Sequence, residues 1–244
     1  MRTFGLIGKT LKHSFSQKYF NDKFKKEGIS GCEYNLYEIQ SIEEFPGLLK
    51  KAKPAGLNVT IPYKEEVIAY LDELDESARM IGAVNVIRND GRLKGFNSDF
   101  YGFKGSLINW IKEPALSDME ALVLGTGGAA KAVWAVLDTL NIPYIKVSRT
   151  KGEINYTRLA QTDDLINTHR LIINTTPLGM SPNTSSCPPL PYEKFNEKYY
   201  LYDLVYNPLD TLFMQKGREY GARVKNGLEM LHLQAEKSWD IWNE

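Results

Sequence analysis

Apolar residues come in two textures along this chain. In the first half, short apolar runs alternate with amphipathic stretches. Thr3 to Ile7 reads as a strand closed by Gly8, Gln17 to Glu27 as a helix, Tyr34 to Glu38 as a second strand and Ile42 to Lys51 as a second helix. Gly56 to Ile61 is a third strand, broken at Pro62, which is placed to open a helix over Tyr63 to Leu74. Ala83 to Arg88 is strand again, and Asn89-Asp90-Gly91-Arg92 has the chemistry of a hairpin turn. A helix over Phe100 to Ile111, ended by Pro114, leads into the second texture. There the apolar runs are short and continuous: Ala121 to Leu124, Tyr144 to Val147, Leu171 to Asn174, Tyr200 to Leu204 and Ala222 to Lys225. Helix-length segments separate most of them, which is the pattern of a buried parallel sheet built from βαβ units. Leu228 to Trp242 closes the chain as a helix whose apolar stripe is Leu228, Leu231, Ala235, Trp239 and Trp242.

The organisation this predicts is α/β throughout. An N-terminal α/β domain occupies 1–99, a Rossmann-like parallel-sheet domain occupies 100–226, and a C-terminal helix over 227–244 returns to the first domain. A chain of 244 residues is long enough for two such cores. Lys plus Arg and Asp plus Glu are 30 each, so the net charge is zero and gives no electrostatic footprint for nucleic acid or an anionic membrane. The N-terminal apolar stretch is too short for a signal peptide, and no later run is long enough to span a bilayer. Cys32 and Cys187 make no ligand spacing and read as reduced thiols. Cytoplasm is the expected compartment. His13, His169 and His232 show no metal spacing either, and no metal is expected.

Gly125-Thr126-Gly127-Gly128-Ala129-Ala130 lies between the apolar run Ala121 to Leu124 and the helical run Lys131 to Leu140. Glycine first permits a tight turn, glycine next lets a pyrophosphate approach the backbone, and the small Ala130 lets helix and strand pack closely. An ordinary strand-to-helix turn would read similarly, but the strand before, the helix after and the strand beyond stand where a dinucleotide turn needs them. That next strand ends at Val147-Ser148-Arg149-Thr150-Lys151, with no acidic residue to hold a ribose 2′-hydroxyl. Guanidinium suits a 2′-phosphate, so the expected cofactor is NADP(H).

Three segments of the first half carry polar residues that a core would not select. Ser14 and Ser16 follow the first strand; their hydroxyls suit a carboxylate, although a helix N-cap explains a serine equally well. Asn58 and Thr60 alternate with Val59 and Ile61, and Lys64 falls in the first turn of the expected helix. The partial positive charge there disfavours an ammonium and makes the neutral amine accessible for acid–base work. Asn97-Ser98-Asp99 precedes the next helix, where Asp99 either caps that helix or faces Lys64, and Asn85 needs a partner if it is buried in its strand.

Taken in order, the Ser14-x-Ser16 loop, Asn58 to Lys64, Gly82 to Asn85, Asn97 to Asp99, the glycine turn, Ser148-Arg149-Thr150, Asn174 to Met180, Asp203 to Tyr206 and Gly227 to Gln234 resemble the shikimate dehydrogenase family over essentially the whole chain. The resemblance implies reversible reduction of 3-dehydroshikimate to shikimate with NADPH, in chorismate and aromatic amino-acid biosynthesis. It implies that Ser14 and Ser16 hold the substrate carboxylate, that Thr60, Asn85 and Gln234 bind ring hydroxyls with Asp99, and that Lys64 with Asp99 is the acid/base pair. Tyr206 would line the same pocket. Gly125, Thr126, Gly127, Gly128 and Ala129 would hold the pyrophosphate and Ser148, Arg149 and Thr150 the 2′-phosphate; backbone at Leu204 and Gly227 would lie near the nicotinamide, and Thr175 and its neighbours would form the loop beside the cofactor. The expected assembly is a monomer or homodimer. The family often has Asn where Ser148 stands and a polar residue at Phe96. The rival readings are a quinate/shikimate dehydrogenase with relaxed cofactor use, a catalytically silent ligand sensor, and another two-domain dehydrogenase.

Overall fold

The structure is a computed structural model that describes residues 1–11, 14–112 and 114–244; Lys12, His13 and Glu113 lie outside the described residues. The chain forms two compact units, Met1–Tyr101 with Gln234–Glu244, and Gly102–Leu233.

The first unit is built on a six-stranded mixed sheet. In chain order its elements are β1 (Arg2–Gly8), α1 (Phe15–Lys26), β2 (Cys32–Glu38), α2 (Phe45–Ala52), β3 (Gly56–Val59), β4 (Glu73–Leu74), α3 (Glu76–Ile81), β5 (Val86–Asn89), β6 (Leu93–Phe96) and the start of α4 (Ser98–Trp110). The sheet order is β2-β1-β3-β5-β6-β4. β1 is parallel to both neighbours, whereas β3, β5 and β6 pair antiparallel in sequence, the last two as the expected hairpin. Side chains alternate across β1, so each sheet face has its own core. Phe4 and Leu6 pack with Phe20, Phe24, Tyr34 and Trp242, while Ile7 packs with Phe45, Leu57, Val59 and Ile87. Trp242 stacks on Phe4 with ring centroids 4.8 Å apart and donates its indole N–H to the Ile87 carbonyl at 3.1 Å.

One expected element differs. Tyr63 to Leu74 is not an α-helix: a hydrogen-bonded turn covers Lys64, a 3-10 helix spans Glu66–Tyr70, and Glu73–Leu74 is β4. The Lys64 carbonyl is taken by the Val84 N–H at 2.7 Å, so it is engaged outside the i→i+4 ladder an α-helix would need. Ile68 then reaches back only three residues, to Glu65, as 3-10 geometry requires.

The second unit is an all-parallel five-stranded sheet of β7 (Ala121–Leu124), β8 (Tyr144–Val147), β9 (Leu171–Asn174), β10 (Tyr200–Asp203) and β11 (Arg223–Lys225), in the order β11-β10-β9-β7-β8. The crossovers are α5 (Gly128–Thr139), the short α6 (Tyr156–Ala160) and α7 (Asp163–Thr168), and α8 (Leu212–Glu219); α9 (Leu228–Asn243) ends the chain. β7, β9 and β10 are buried along their whole length, which is why each reads as an unbroken apolar run. In chain order the strands stand 2-1-3-4-5, so the direction of winding reverses between β7 and β9, and ligands of such sheets bind outside the carboxyl ends of the strands at that reversal. Among the described residues no helix is long and apolar enough to cross a membrane.

Candidate active site

The carboxyl end of β3 and the N-terminus of α4 bring Lys64 and Asp99 together, with Nζ 2.7 Å from Oδ2 and both side chains only partly exposed. Asp99 is free for this because capping falls to its neighbour: the Asn97 side chain accepts the Asp99 N–H at 3.1 Å and donates to the Ala83 carbonyl at 2.9 Å. The helix-end field expected to act on Lys64 is absent, since no α-helix begins there. Its environment is a carboxylate at hydrogen-bond distance.

Asn85 is buried, and Ser98 partners both the oxygen and the nitrogen of its amide. Its Oδ1 accepts the Ser98 N–H at 2.7 Å and its Nδ2 donates to Ser98 Oγ at 3.1 Å. Ser98 Oγ also lies 3.3 Å from Gln234 Oε1 and 3.3 Å from Ser238 Oγ. Behind them Asn58 donates to Ser238 Oγ at 3.0 Å and accepts from the Tyr34 hydroxyl at 2.7 Å. Burial pushes the ionisation of that hydroxyl above the ordinary phenol range. Ser16 lies half-buried in the first turn of α1. Ser14 is the N-cap of α1, its Oγ accepting the Gln17 N–H at 3.4 Å. A cap occupies a lone pair and leaves the hydroxyl hydrogen to give, so capping and carboxylate binding are compatible. Thr60 is half-buried at the end of β3, its N–H bonded to the Ile7 carbonyl at 2.9 Å.

In the second unit, Gly125 has φ +105°, and a Cβ there would stand 2.7 Å from Thr175 Oγ1, so the turn requires glycine. Gly127 caps α5 and Gly128 opens it; a Cβ on either would meet nothing within 4 Å. The N–H groups of a first helical turn have no acceptor in their own helix. Beyond β8, the Val147↔Ile154 bridge and a 3.1 Å bond from the Ser148 N–H to the Ile154 carbonyl close a small loop that leaves Arg149 and Thr150 exposed.

Over residues 6–87 the chain matches the model of the shikimate dehydrogenase substrate binding domain. The NADP(+)-dependent shikimate dehydrogenase of Clostridium beijerinckii is 38% identical over 100% of this chain and 93% of its own. That of Methanosphaera stadtmanae is 34% identical over 98% and 90%. The chain belongs to the shikimate dehydrogenase family. A solved structure of the shikimate 5-dehydrogenase of Thermus thermophilus, in complex with NADP(H) and shikimate, is similar with a TM-score of 0.81 and 32% identity, covering 99% of this chain and 93% of that one.

Against the shikimate dehydrogenase pattern, the first unit gathers Lys64 with Asp99, and Asn85 with Gln234 through Ser98. In the second unit Gly125 meets Thr175, and Gly227 meets Leu204: a Cβ on Gly227 would fall 2.1 Å from the Leu204 carbonyl oxygen. Thr126 and Ala129 flank the glycines of the turn. Tyr206 is half-buried in the loop after β10, and burial pushes its hydroxyl pKa up. Sequence reasoning passed over one polar cluster here. Asp203 is fully buried and accepts from Thr211 Oγ1 at 2.6 Å, Asn174 Nδ2 at 2.9 Å and the Val205 N–H at 3.0 Å, while burial pushes its carboxyl up to about 6. The available signal was a carboxylate inside the apolar run Tyr200 to Leu204.

Proposed function

We propose that this chain catalyses the reversible, NADPH-dependent reduction of 3-dehydroshikimate to shikimate. The observation that carries the reading is the Lys64–Asp99 pair, partly shielded from water at 2.7 Å in the unit that contains the matched substrate-binding segment.

The glycine turn fits a dinucleotide, because the space beside Gly127 and Gly128 is open and the helix start offers N–H donors. Gly125, Thr126, Gly127, Gly128 and Ala129 take the pyrophosphate, and Ser148, Arg149 and Thr150 the 2′-phosphate. Backbone at Leu204 and Gly227 would lie near the nicotinamide, with Thr175 in the loop beside the cofactor. When bound, NADPH supplies the hydride. As the carbonyl carbon is reduced, its oxygen gains negative charge; Lys64 Nζ stabilises that charge and delivers the proton, while Asp99 keeps the ammonium oriented. In the reverse direction the neutral amine removes the proton from the hydroxyl. Ser14 and Ser16 donate to the substrate carboxylate. Thr60, Asn85 and Gln234 fix the ring hydroxyls, and Tyr206 lines the pocket. Such positioning contributes much of the rate in a reaction whose chemistry the cofactor carries.

The test is NADP⁺ reduction followed by absorbance with shikimate, with quinate and NAD⁺ run in parallel. The reading expects turnover with shikimate and NADP⁺ well above either alternative. Equal rates with NAD⁺ would overturn the cofactor assignment, and preference for quinate the substrate assignment.

A further inference from the structure

Asn174 and Asp203 are register partners at the ends of β9 and β10, and both side chains are fully buried. A carboxylate can only accept hydrogen bonds. Asn174 therefore turns its Nδ2 toward Asp203, at 2.9 Å, and this sends its Oδ1 to the loop after β9. There Oδ1 accepts the Thr176 N–H at 3.1 Å and the Thr176 hydroxyl at 2.6 Å. Thr176 Oγ1 in turn accepts the Leu178 N–H at 3.3 Å. The loop so shaped carries Thr175, whose N–H and hydroxyl both reach the Leu124 carbonyl, at 2.9 and 2.7 Å, directly beside Gly125. One buried carboxylate thus sets the polarity of an amide, and the amide sets the loop that abuts the glycine turn.

We propose that Asp203 and Asn174 are positioning residues for dinucleotide binding, acting through Thr176 to hold the Thr175 loop against the glycine turn. This rests on the reading of that turn as the NADP(H) site. Neither residue needs to touch the cofactor; the pair removes the alternative amide orientation in which Asn174 would present a donor to the Thr176 N–H. Tyr192 feels the Asp203 charge, and the groups bonded to the carboxylate, from Asn174, Val205 and Thr211, are neutral.

The test variant is Asn174→Asp, which sets a second carboxylate against the first. Two carboxylates at this distance cannot both ionise freely but can share a proton in acid. Calorimetric titration with NADP⁺, without turnover, is expected to give a Kd roughly tenfold or more weaker than wild type at about pH 8, recovering to within about threefold at about pH 5.5. The shikimate Kd should match wild type at both. Thr176→Val, which removes the hydroxyl link and adds no charge, should weaken NADP⁺ at both pH values with little change in Tm, and it carries the test if Asn174→Asp does not fold at the higher pH. The proposal is overturned if NADP⁺ binds both variants as it binds wild type, or if both ligands weaken equally. A wild-type protein that binds no NADP⁺ sinks the functional reading itself.

Discussion

Lys64 and Asp99 meet at 2.7 Å because Asn97, not Asp99, caps α4. The carboxylate is left to the lysine, and the pair is built from two segments whose backbones are otherwise fixed by β-sheet bonds and a helix cap. Replacing Lys64 with Ala should lower kcat by about 10²–10⁴-fold, the usual size of a general acid–base contribution, with a much smaller change in shikimate binding. Asp99→Asn keeps the shape and should lower kcat less. Steady-state kinetics with a shikimate titration check both, and near-intact turnover by Lys64→Ala would remove the acid/base role.

Arg149 stands exposed on a small closed loop beyond β8. Its loss should raise KM for NADP⁺ roughly ten- to hundredfold, in keeping with the loss of charge-assisted hydrogen bonds, and leave KM for NAD⁺ nearly unchanged. Parallel titrations of the two cofactors with Arg149→Ala decide it. A parallel rise in both values would mean that the side chain does not read the 2′-phosphate.

Asp203 makes folding stability depend on pH in an uncommon direction for a carboxyl group. Burial raises its folded pKa from 3.8 to about 6, so the fold favours the neutral form. Its contribution is complete below the unfolded value and is lost as pH rises through about 6, a difference of up to about 3 kcal/mol. Asp203→Asn stays neutral throughout. Its stability relative to wild type should therefore climb between about pH 4 and pH 7, as read by urea unfolding at several pH values. A constant offset across that range would show that the group does not titrate there.

Gly227 touches the Leu204 backbone, and an added Cβ would fall 2.1 Å from its carbonyl oxygen. Because the obstacle is backbone, it cannot rotate away. Gly227→Ala should cost about 1–3 kcal/mol, as overpacking does, and should weaken NADP⁺ binding as the loop after β10 shifts. Thermal unfolding and a cofactor titration test the two effects separately.

What the sequence disclosed depended on whether the cause was local. β7 and β9 were legible because burial on both faces demands an unbroken apolar run, and the glycine turn because a dinucleotide turn must sit between such a strand and a helix. The false helix over Tyr63 to Leu74 had plausible periodicity; the bond that prevents it joins Lys64 to Val84, far away in sequence. α3 was missed for the opposite reason, being too short for periodicity to register. Its ends were nonetheless marked, by Asp75 accepting the Ser77 N–H and by Gly82 in the left-handed region. At the site, Lys64 and Asp99 could be named from residue type and order, while the buried links through Ser98, Ser238 and Asn174 arise only when distant segments are folded together.

The stacking of Trp242 on Phe4 also bears on how the protein is made. On a ribosome β1 emerges long before α9, which carries its aromatic partner. A domain whose segments are made early commonly folds before the segments that follow it are synthesised. This one is denied that head start, because Ala235, Ile241 and Trp242 complete one face of its core. The second unit, contiguous in the chain, can settle first, leaving the nascent first unit with an unfilled apolar face to be shielded until α9 has been made.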